Sequence, residues 1–267
     1  MGRFKMKETR GFVKGLIVTG TIIMGALSMF AESAQVHKNY AYTIAKAKKN
    51  PVFEKDCWNN KTWKNVKAVE LKIYHKHKYE NYKPVTKVKL QYGTKGLYGL
   101  FKADDKYVKS LQKEHLLRVC DDSCVEFFVQ PAPPDTKGVC RYMNLEFNCG
   151  GKILTRCNVR DMEGKRAGKP VPFEKADIKK LIIYHSMPET VEKEIEEDVT
   201  WYLGFFVPFS IFTKYCGAPA PKPDDVWHGN FYKCGHKTSH PHYVSWAPLA
   251  KFTFHLPKSF STLVFEK

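Results

Sequence analysis

The sequence predicts an all-β protein, an antiparallel β-sandwich of the jelly-roll or immunoglobulin-like kind with short helical insertions. Many short segments alternate apolar and polar residues, and glycine, proline and asparagine separate them. Few segments show the apolar spacing that an amphipathic helix requires. Aromatic residues make up 14% of the 267 residues, beside 15 prolines and 17 glycines, which favours strands and turns over a helical bundle.

The first 33 residues have the pattern of a signal peptide. Basic residues precede an apolar run over residues 16–31, and small residues lie near a cleavage point after Ser33. This pattern predicts export to the periplasm, the cell surface or the extracellular space, with no stable membrane insertion once the leader is removed. A leader kept as a membrane anchor is the alternative, although Gly20 and Gly25 dilute the apolar run. No linker or repeat divides residues 34–267, which are predicted to form a single domain.

The chain is strongly basic. Its formal net charge is +17, and the five basic and two acidic residues of the leader leave +14 for the remainder. Such an excess suits nucleic acid, an anionic lipid or an acidic polysaccharide as a partner, and it also fits an ordinary solvated surface. The basic residues are spread along the chain, without an arginine-rich helix or a basic–aromatic RNA-binding motif. We therefore predict no nucleic-acid partner.

The strand predictions follow the alternation along the chain, and residues 93–96 (GTKG) form a hairpin turn between two of the strands. Residues 106–117 are predicted as a short helix, residues 189–198 as a helical or open connection, and residues 209–215 as a turn. The predicted strands cover residues 69–74, 87–92, 97–103, 125–129, 142–148, 152–157, 181–184, 200–208, 227–234 and 252–256. The large aromatic residues predicted for the core or its wall are Trp227, Phe231, Tyr232 and Trp246.

Eight cysteines suit an oxidising compartment and predict disulfides, with buried thiols as the alternative. Their connectivity cannot be read from the spacing. No CxxC pair is present, which argues against thioredoxin-like chemistry and against a cysteine zinc site. The cysteines are Cys57, Cys120, Cys124, Cys140, Cys149, Cys157, Cys216 and Cys234.

Two predicted strands place polar side chains together on one face. Alternation in residues 125–129 separates Glu126 from its apolar neighbours, and alternation in residues 142–148 places Asn144 and Glu146 opposite the apolar positions. Carboxylates and amides can pair with sugar hydroxyls, so this face could bind carbohydrate. It could equally be the solvated side of an ordinary antiparallel sheet.

A set of motifs resembles the family 9 carbohydrate-binding modules. These motifs are LYGLF at residues 97–101, DSCVEF at residues 122–127, and an SW pair at residues 245–246 followed by Phe254 and an FHLP run. The chain is most similar to the free-standing, family 9-like proteins of gut-type Bacteroidetes, which are DOMON-like β-sandwiches. The resemblance implies that the protein recognises a saccharide or the end of a polysaccharide, in polysaccharide utilisation.

The resemblance also implies particular ligand-binding residues. Glu126 matches a sugar-binding glutamate in the VE pair, and Asn144 and Glu146 match polar residues of the following strand that face the sugar. Glu146 stands where the family has an arginine. The family clamps the terminal sugar between two tryptophans, which fall at Phe254 and at or near Cys120. One wall of the clamp is therefore a smaller aromatic ring, and the other is not aromatic.

The histidines give further candidates. His255, next to Phe254, is predicted to hydrogen-bond the ligand, with a capping or core role as the alternative. His236, His240 and His242 are close enough in sequence to suggest zinc or copper, but their spacing is not that of a usual site. We predict no cofactor and no functional metal site.

Any bound ion is expected to be a structural calcium. Asp121 and Asp122 are the candidate ligands, because hard cations prefer oxygen donors.

Three functional hypotheses remain at this stage. The first is an exported, non-catalytic carbohydrate-binding protein. The second is a glycoside hydrolase that uses Glu126 and Glu146 as its carboxylate pair. The third is a periplasmic protein-interaction or scaffold protein with a degenerate sugar site. The sequence contains no nucleophile elbow, phosphate-binding loop or dinucleotide motif.

Overall fold

Two curved sheets with a shared strand determine the architecture. The computed structural model describes residues 40–76 and 78–267. The strands are β1 (Ala41–Lys46), β2 (Val69–Leu71), β3 (Ile73–His75), β4 (Val85–Tyr92), β5 (Gly96–Asp105), β6 (Val108–Ser110), β7 (Cys124–Gln130), β8 (Val139–Asn148), β9 (Ile153–Asp161), β10 (Val171–Pro172), β11 (Ile182–His185), β12 (Val191–Ile195), β13 (Val199–Pro208), β14 (Val226–Gly235), β15 (His242–Ser245) and β16 (Ser261–Phe265). The α-helices are α1 (Lys175–Ile178) and α2 (Phe209–Cys216).

The first sheet has the strand order β10-β9-β8-β7-β14-β16-β1, and the second has the order β1-β4-β5-β13-β11. Strand β1 pairs in parallel with both β16 and β4, whereas the other pairings along this path are antiparallel. Strands β15 and β3 extend the first sheet beside β14. The prediction of an all-β, antiparallel sandwich is confirmed, and the parallel pairings of β1 are an addition to it.

Aromatic rings fill the space between the sheets. Phe127 of β7 and Phe231 of β14 stack with their centroids 4.9 Å apart, and Phe127 also stacks on Phe205 of β13 in the second sheet at 6.2 Å. All three rings are fully buried. Trp227, Phe231, Tyr232 and Trp246 are buried too, as predicted. Rings of this size bury large apolar areas, so they dominate the energetics of such a core.

A buried ion pair also joins the two sheets. Lys233 Nζ of β14 lies 3.1 Å from Asp105 Oδ2 of β5, and neither side chain is exposed. The Tyr82 hydroxyl and the Trp201 indole donate to the same carboxylate, at 2.6 and 2.9 Å. His242 Nε2 lies 2.6 Å from Lys233 Nζ. Every member of this group has a partner, as burial of charge requires.

Three segments differ from the sequence prediction. Residues 106–117 are not a helix, because Tyr107 and Leu116 have positive φ angles of 59° and 69°, which a right-handed helix cannot contain. The middle of this segment is the short strand β6, which pairs with β12. Strand β12 replaces the helical or open connection predicted for residues 189–198, and α2 replaces the predicted turn over residues 209–215.

The predicted strand over residues 252–256 is also wrong. Its backbone bonds are local rather than between strands: the amide of Thr253 donates to Lys251 O and the amide of Leu256 donates to Phe254 O. Pro257 then begins a 3-10 turn, which ends the extended conformation. Apolar and polar residues alternate in this segment, but the segment is a loop that packs against the sheet.

All eight cysteines lie within the described residues, and each is a free thiol. Cys157 and Cys216 have their sulfur atoms 3.9 Å apart, well beyond the length of a disulfide bond. The structure therefore does not support the disulfide prediction, and it contains the alternative, buried thiols. Cys120 is the exception, being half-buried.

The predicted signal peptide over residues 1–33 lies outside the described residues, so its cleavage remains a prediction. The described residues form one compact unit. Within the described part of the chain, no helix combines the length and the apolar character needed to cross a membrane.

We predict that stability falls in acid through Asp177, a buried residue of α1. Hydrogen bonds from Lys180, Lys214 and Tyr215 hold the pKa of Asp177 below its ordinary value. A depressed pKa stabilises the fold above the unfolded value near 4, and this contribution is lost as the pH falls below it. Asp177→Asn should lower the melting temperature at neutral pH and flatten its dependence on pH below about 4.

Glu174→Gln is the matched control, because the exposed Glu174 carboxylate contacts the same Lys214 at 2.9 Å. Melting curves recorded by circular dichroism across this pH range would show the difference. Equal pH profiles for Asp177→Asn and the parent would contradict the prediction.

Candidate functional site

A loop over residues 246–256, which we call the covering loop, crosses the outer face of the first sheet. The Phe254 ring stacks on Tyr232 of β14, with centroids 4.0 Å apart and planes within 9° of parallel. The Tyr232 hydroxyl donates to Phe254 O at 3.2 Å. The loop is thus fixed to the sheet by one ring contact and one hydrogen bond at the same residue.

Beneath and beside Phe254 lies a pocket of about 210 Å³. Four of the five predicted ligand-binding residues line it: Glu126, Glu146, Phe254 and His255. The remaining lining residues are Cys120, Phe128, His236, Tyr243, Phe252 and Thr253. Most of these side chains are apolar or aromatic, with two carboxyl groups among them. Pockets with this composition are typical of small-molecule sites.

The polar face of the sheet is buried, so the alternative of an ordinary solvated face does not hold. Glu126 is 2% exposed, Asn144 1% and Glu146 5%. Residues of the covering loop and of the β14–β15 hairpin line the pocket together with the two glutamates. Alternation placed the three residues on the correct side of the sheet, but it could not show that a loop covers that side. Their polar atoms must therefore find partners within the protein or in a ligand.

Glu126 and Glu146 form a pair of neighbouring buried carboxyl groups. The two residues are directly opposite each other on β7 and β8. Burial raises the pKa of Glu126 well above its ordinary value, and the charge of Glu146 raises it further. Burial also raises the pKa of Glu146, to about 7. The raised pKa values favour a protonated carboxyl group in the pair near neutral pH, so the pair can both donate and accept hydrogen bonds.

Other side chains fix the positions of these carboxyl groups. The Cys234 thiol donates to Glu126 Oε1 at 3.0 Å, and the Asn144 amide donates to Glu146 Oε1 at 2.7 Å. Asn144 Oδ1 accepts from the Asn158 amide at 2.8 Å. Asn144 is not among the residues that line the pocket, and its amide positions the Glu146 carboxyl group. Direct contact of Asn144 with a ligand stays a prediction.

His255 lines the pocket beside Phe128, with ring centroids 4.9 Å apart. Its Nδ1 lies 2.7 Å from the Tyr142 hydroxyl, so a ligand can reach this ring only through Nε2. Burial lowers the pKa of His255 to about 4, and the charges of Arg160, Arg156 and Arg166 contribute to the shift. The imidazole is therefore neutral at physiological pH.

The two walls of the expected clamp are both at the pocket. Phe254 lines one part and Cys120 another, in keeping with the positions that the resemblance implies. Three aromatic lining residues were missed from the sequence: Phe128, Tyr243 and Phe252. Phe128 could have been found, because it is two residues from Glu126 and therefore on the same face of β7. The other two belong to the hairpin and the covering loop, whose positions the alternation does not predict.

Two groups of donor atoms could hold a metal ion. Among the described residues, the groups whose three donor atoms lie within 4.8 Å of one another are Cys120, Asp121 and His236, and Cys124, Glu126 and Cys234. Sulfur and imidazole donors suit zinc rather than calcium. The absence of a functional metal site stays a prediction.

The expected calcium ligands are already engaged. Asp121 contacts Arg118 and Lys237 at 3.1 and 2.9 Å. Asp122 Oδ2 accepts from the Asn148 amide at 2.9 Å and from a backbone amide. These contacts leave little reason for a calcium ion at either carboxylate.

The neighbouring histidines do not converge on one point. His242 uses one ring nitrogen toward Lys233 and the other toward His240 O. His240 stacks on the ring of Tyr107 at 3.5 Å. The pKa of His242 falls to about 3 through burial and the charge of Lys233. Only His236 of this group lies at the pocket.

The outer face of the sandwich holds a small aromatic pocket with two paired carboxyl groups. This combination is typical of a β-sandwich ligand-binding module. Comparison with known families gives the more particular assignment. The profile of carbohydrate-binding family 9 matches residues 56–265, and the chain belongs to that family. Among curated proteins, none matches the sequence.

Solved structures share the fold. A proposed carbohydrate-binding protein from Bacteroides uniformis is 24% identical, with a TM-score of 0.69 over 85% of this chain and 99% of that one. Two structures of a family 9 module from Caldicellulosiruptor kristjanssonii, in complex with cellotriose and with glucose, are each 12% identical. Their TM-scores are 0.53 and 0.55, over 85% of this chain and 94% and 96% of theirs.

Cys120 gives a direct test of the pocket wall and of the thiol state. It is half-buried at the pocket, whereas the other seven cysteines are buried. A small thiol reagent should therefore modify one cysteine of the folded protein, and eight after denaturation without reductant. Burial raises the pKa of Cys120, so the native reaction should be slow and should accelerate in alkali.

Mass spectrometry would count the modified thiols. Cys120→Ser should abolish the native reaction and lower the denatured count by one. Fewer than eight reactive thiols in the denatured parent would show a disulfide and contradict the structure.

Proposed function

We propose that the protein is an exported, non-catalytic carbohydrate-binding protein whose pocket holds the end of a saccharide or polysaccharide. The observation that supports this most is the meeting of Phe254 with the Glu126–Glu146 pair in one pocket. An aromatic ring covers the apolar face of a sugar, while carboxyl groups pair with its hydroxyls. The family 9 modules that bind cellotriose and glucose have the same fold.

The pocket geometry favours one stacking surface. Tyr232 occupies one face of the Phe254 ring, so a sugar could stack only on the other face or against its edge. Cys120, at the opposite wall position, has no ring to offer. Of the two clamp positions, only Phe254 therefore carries a ring, and the affinity should be modest.

Non-catalysis is inferred from the placement of the carboxyl pair. Glycosidases hold their two carboxyl groups on either side of the scissile bond, about 5 Å or more apart. Glu126 and Glu146 lie side by side on adjacent strands at the pocket floor. Each has one oxygen bound by a neighbouring side chain. This arrangement suits orientation of a ligand better than attack from two sides.

Export is inferred from the leader alone. The basic start, apolar run and small residues before position 34 have the order of a signal peptide. The periplasm, the cell surface and the extracellular space all remain consistent with this leader. A role in polysaccharide utilisation follows from export together with saccharide binding.

We predict that Phe254 and Glu126 dominate the affinity. Stacking on an aromatic ring contributes about 1–3 kcal/mol, and a site with one wall should bind near the millimolar range, about −4 kcal/mol. Phe254→Ala should abolish measurable binding, Phe254→Trp should tighten it, and Glu126→Gln should weaken it. Calorimetry against a panel of monosaccharides and oligosaccharides would measure these changes.

Phe206→Leu is a suitable control, since this ring lies on β13 in the other sheet and packs against Tyr98. Circular dichroism would confirm that each variant is folded. If Phe254→Ala binds a sugar as the parent does, the ligand lies elsewhere and the proposed site is wrong.

We also predict no release of reducing sugar from plant or host glycans by the purified protein. Release that Glu126→Gln abolishes would instead establish the hydrolase hypothesis. A glycan array without any binding, together with specific capture of one protein partner, would favour the scaffold hypothesis. The two experiments separate the three functional classes.

A further inference from the structure

We propose that the saccharide is anionic, and that Arg156, Arg160 and Arg166 bind its acidic group at the edge of the pocket. This inference rests on the proposed function, because it names the class of sugar that the same pocket takes. The acidic group could be the carboxylate of a uronic acid or a sulfate ester. Both are planar or tetrahedral oxyanions that a guanidinium group binds through paired hydrogen bonds.

The strand register places two of these arginines on the pocket face. Arg156 of β9 is opposite Asn144 of β8, and Arg160 is opposite Cys140. Side chains that are directly opposite in an antiparallel pair point to the same side of the sheet. Arg156 and Arg160 therefore extend the face that carries Asn144 and the carboxyl pair. Both are half-buried.

A chain of contacts connects this face to the pocket. The charge of Arg160 acts on the Tyr142 hydroxyl, which lies 2.7 Å from His255 Nδ1. Arg160 Nη1 itself donates to Gly164 O at 2.6 Å. His255 in turn lines the pocket. Arg166 forms an isolated β-bridge with Arg160, which brings the third arginine to the same place. The charges of all three act on His255 and help to lower its pKa, which fits their proximity to the pocket.

These arginines also lack the ion pairs that the other basic residues near the site have. Arg118 contacts Asp121, Lys237 contacts the same carboxylate, and Lys152 contacts Glu189. Among the described residues, no carboxylate lies within 4 Å of Arg156, Arg160 or Arg166. Glu146 partly balances the charge of Arg156, because the two charges act on each other. At least two positive charges at this edge thus remain without a counter-charge.

An anionic sugar explains this arrangement better than a neutral one. Neutral hydroxyls do not require a cluster of unpaired cations, and like charges held together cost free energy unless an anion joins them. The strongly basic chain would also attract an acidic polysaccharide over a distance. A nucleic acid is the weaker alternative, because the pocket admits a small terminal group rather than a continuous backbone.

The test compares matched ligands by calorimetry: a neutral oligosaccharide, the same sugar oxidised to its terminal uronic acid, and an O-sulfated form. The acidic forms should bind about tenfold more tightly than the neutral form or better, the usual effect of a hydrogen bond to a charged group. Raising the salt from about 0.05 to about 0.5 M should remove most of this advantage, through screening.

Arg156→Gln and Arg166→Gln should each lower the affinity for the acidic sugar by about tenfold, and Arg166→Gln should leave neutral-sugar binding unchanged. Arg141→Gln is the matched control, because Arg141 lies on β8 next to Tyr142 in sequence and so points to the opposite side of the sheet. Arg166 is exposed, so its replacement tests the inference without risk to the fold.

The outcomes test the anionic-sugar inference separately from the proposed carbohydrate-binding function. A preference for the uronic acid over the sulfate, or the reverse, identifies the acidic group and supports the inference. Equal or tighter binding of the neutral sugar overturns the inference while the proposed function stands. Failure of all three sugars and of the wider panel overturns the proposed function itself. An equal loss of affinity in Arg141→Gln would also overturn the inference, because it would reveal only an effect of overall charge.

Discussion

The buried contact between Lys233 and Asp105 is the interaction on which the rest of the structure depends. Burial alone would raise the pKa of Asp105, but Lys233 and the donors Tyr82 and Trp201 bring it below its ordinary value. Loss of one partner from such a pair generally costs about 3–5 kcal/mol. Because Lys233 points between the sheets, its neighbours Tyr232 and Cys234 must point outward. The same contact therefore places the ring beneath Phe254 and the thiol that orients Glu126.

The pocket is built from elements of different kinds. A regular sheet supplies its floor, with the carboxyl groups on β7 and β8, whereas an irregular loop supplies its aromatic wall. The floor is rigid, since each polar group has a partner within the protein. The wall depends on the contacts of Phe254 with Tyr232 and on local turns. Changes to the loop can therefore alter ligand preference while the sheet remains the same.

The sequence contained much of the fold and most of the site, for identifiable reasons. Alternation located the strands and placed Glu126 and Glu146 on one face. The family resemblance singled out Phe254, and His255 followed from its position next to that residue. The covering of that face could not be predicted, since it depends on a loop whose own alternation resembles a strand. Residues 106–117 contain good helix formers, but Tyr107 and Leu116 have positive φ angles, and the Leu116 amide donates to Ile153 O of β9 rather than within a helix. The free thiols could not be predicted either, because the spacing of cysteines in the sequence does not give the distances between their sulfur atoms in the fold.

Strand β1 has a consequence for how the chain reaches its final shape. Ala41 pairs with Thr262 on one side, and Ala45 pairs with Gln91 on the other. The seam between the two sheets is therefore made from segments near opposite ends of the described chain. Pairings so distant in sequence slow folding, because a large loop must close before they form. While synthesis is incomplete the seam stays open, and an open polypeptide is the form that can be threaded through a translocation channel.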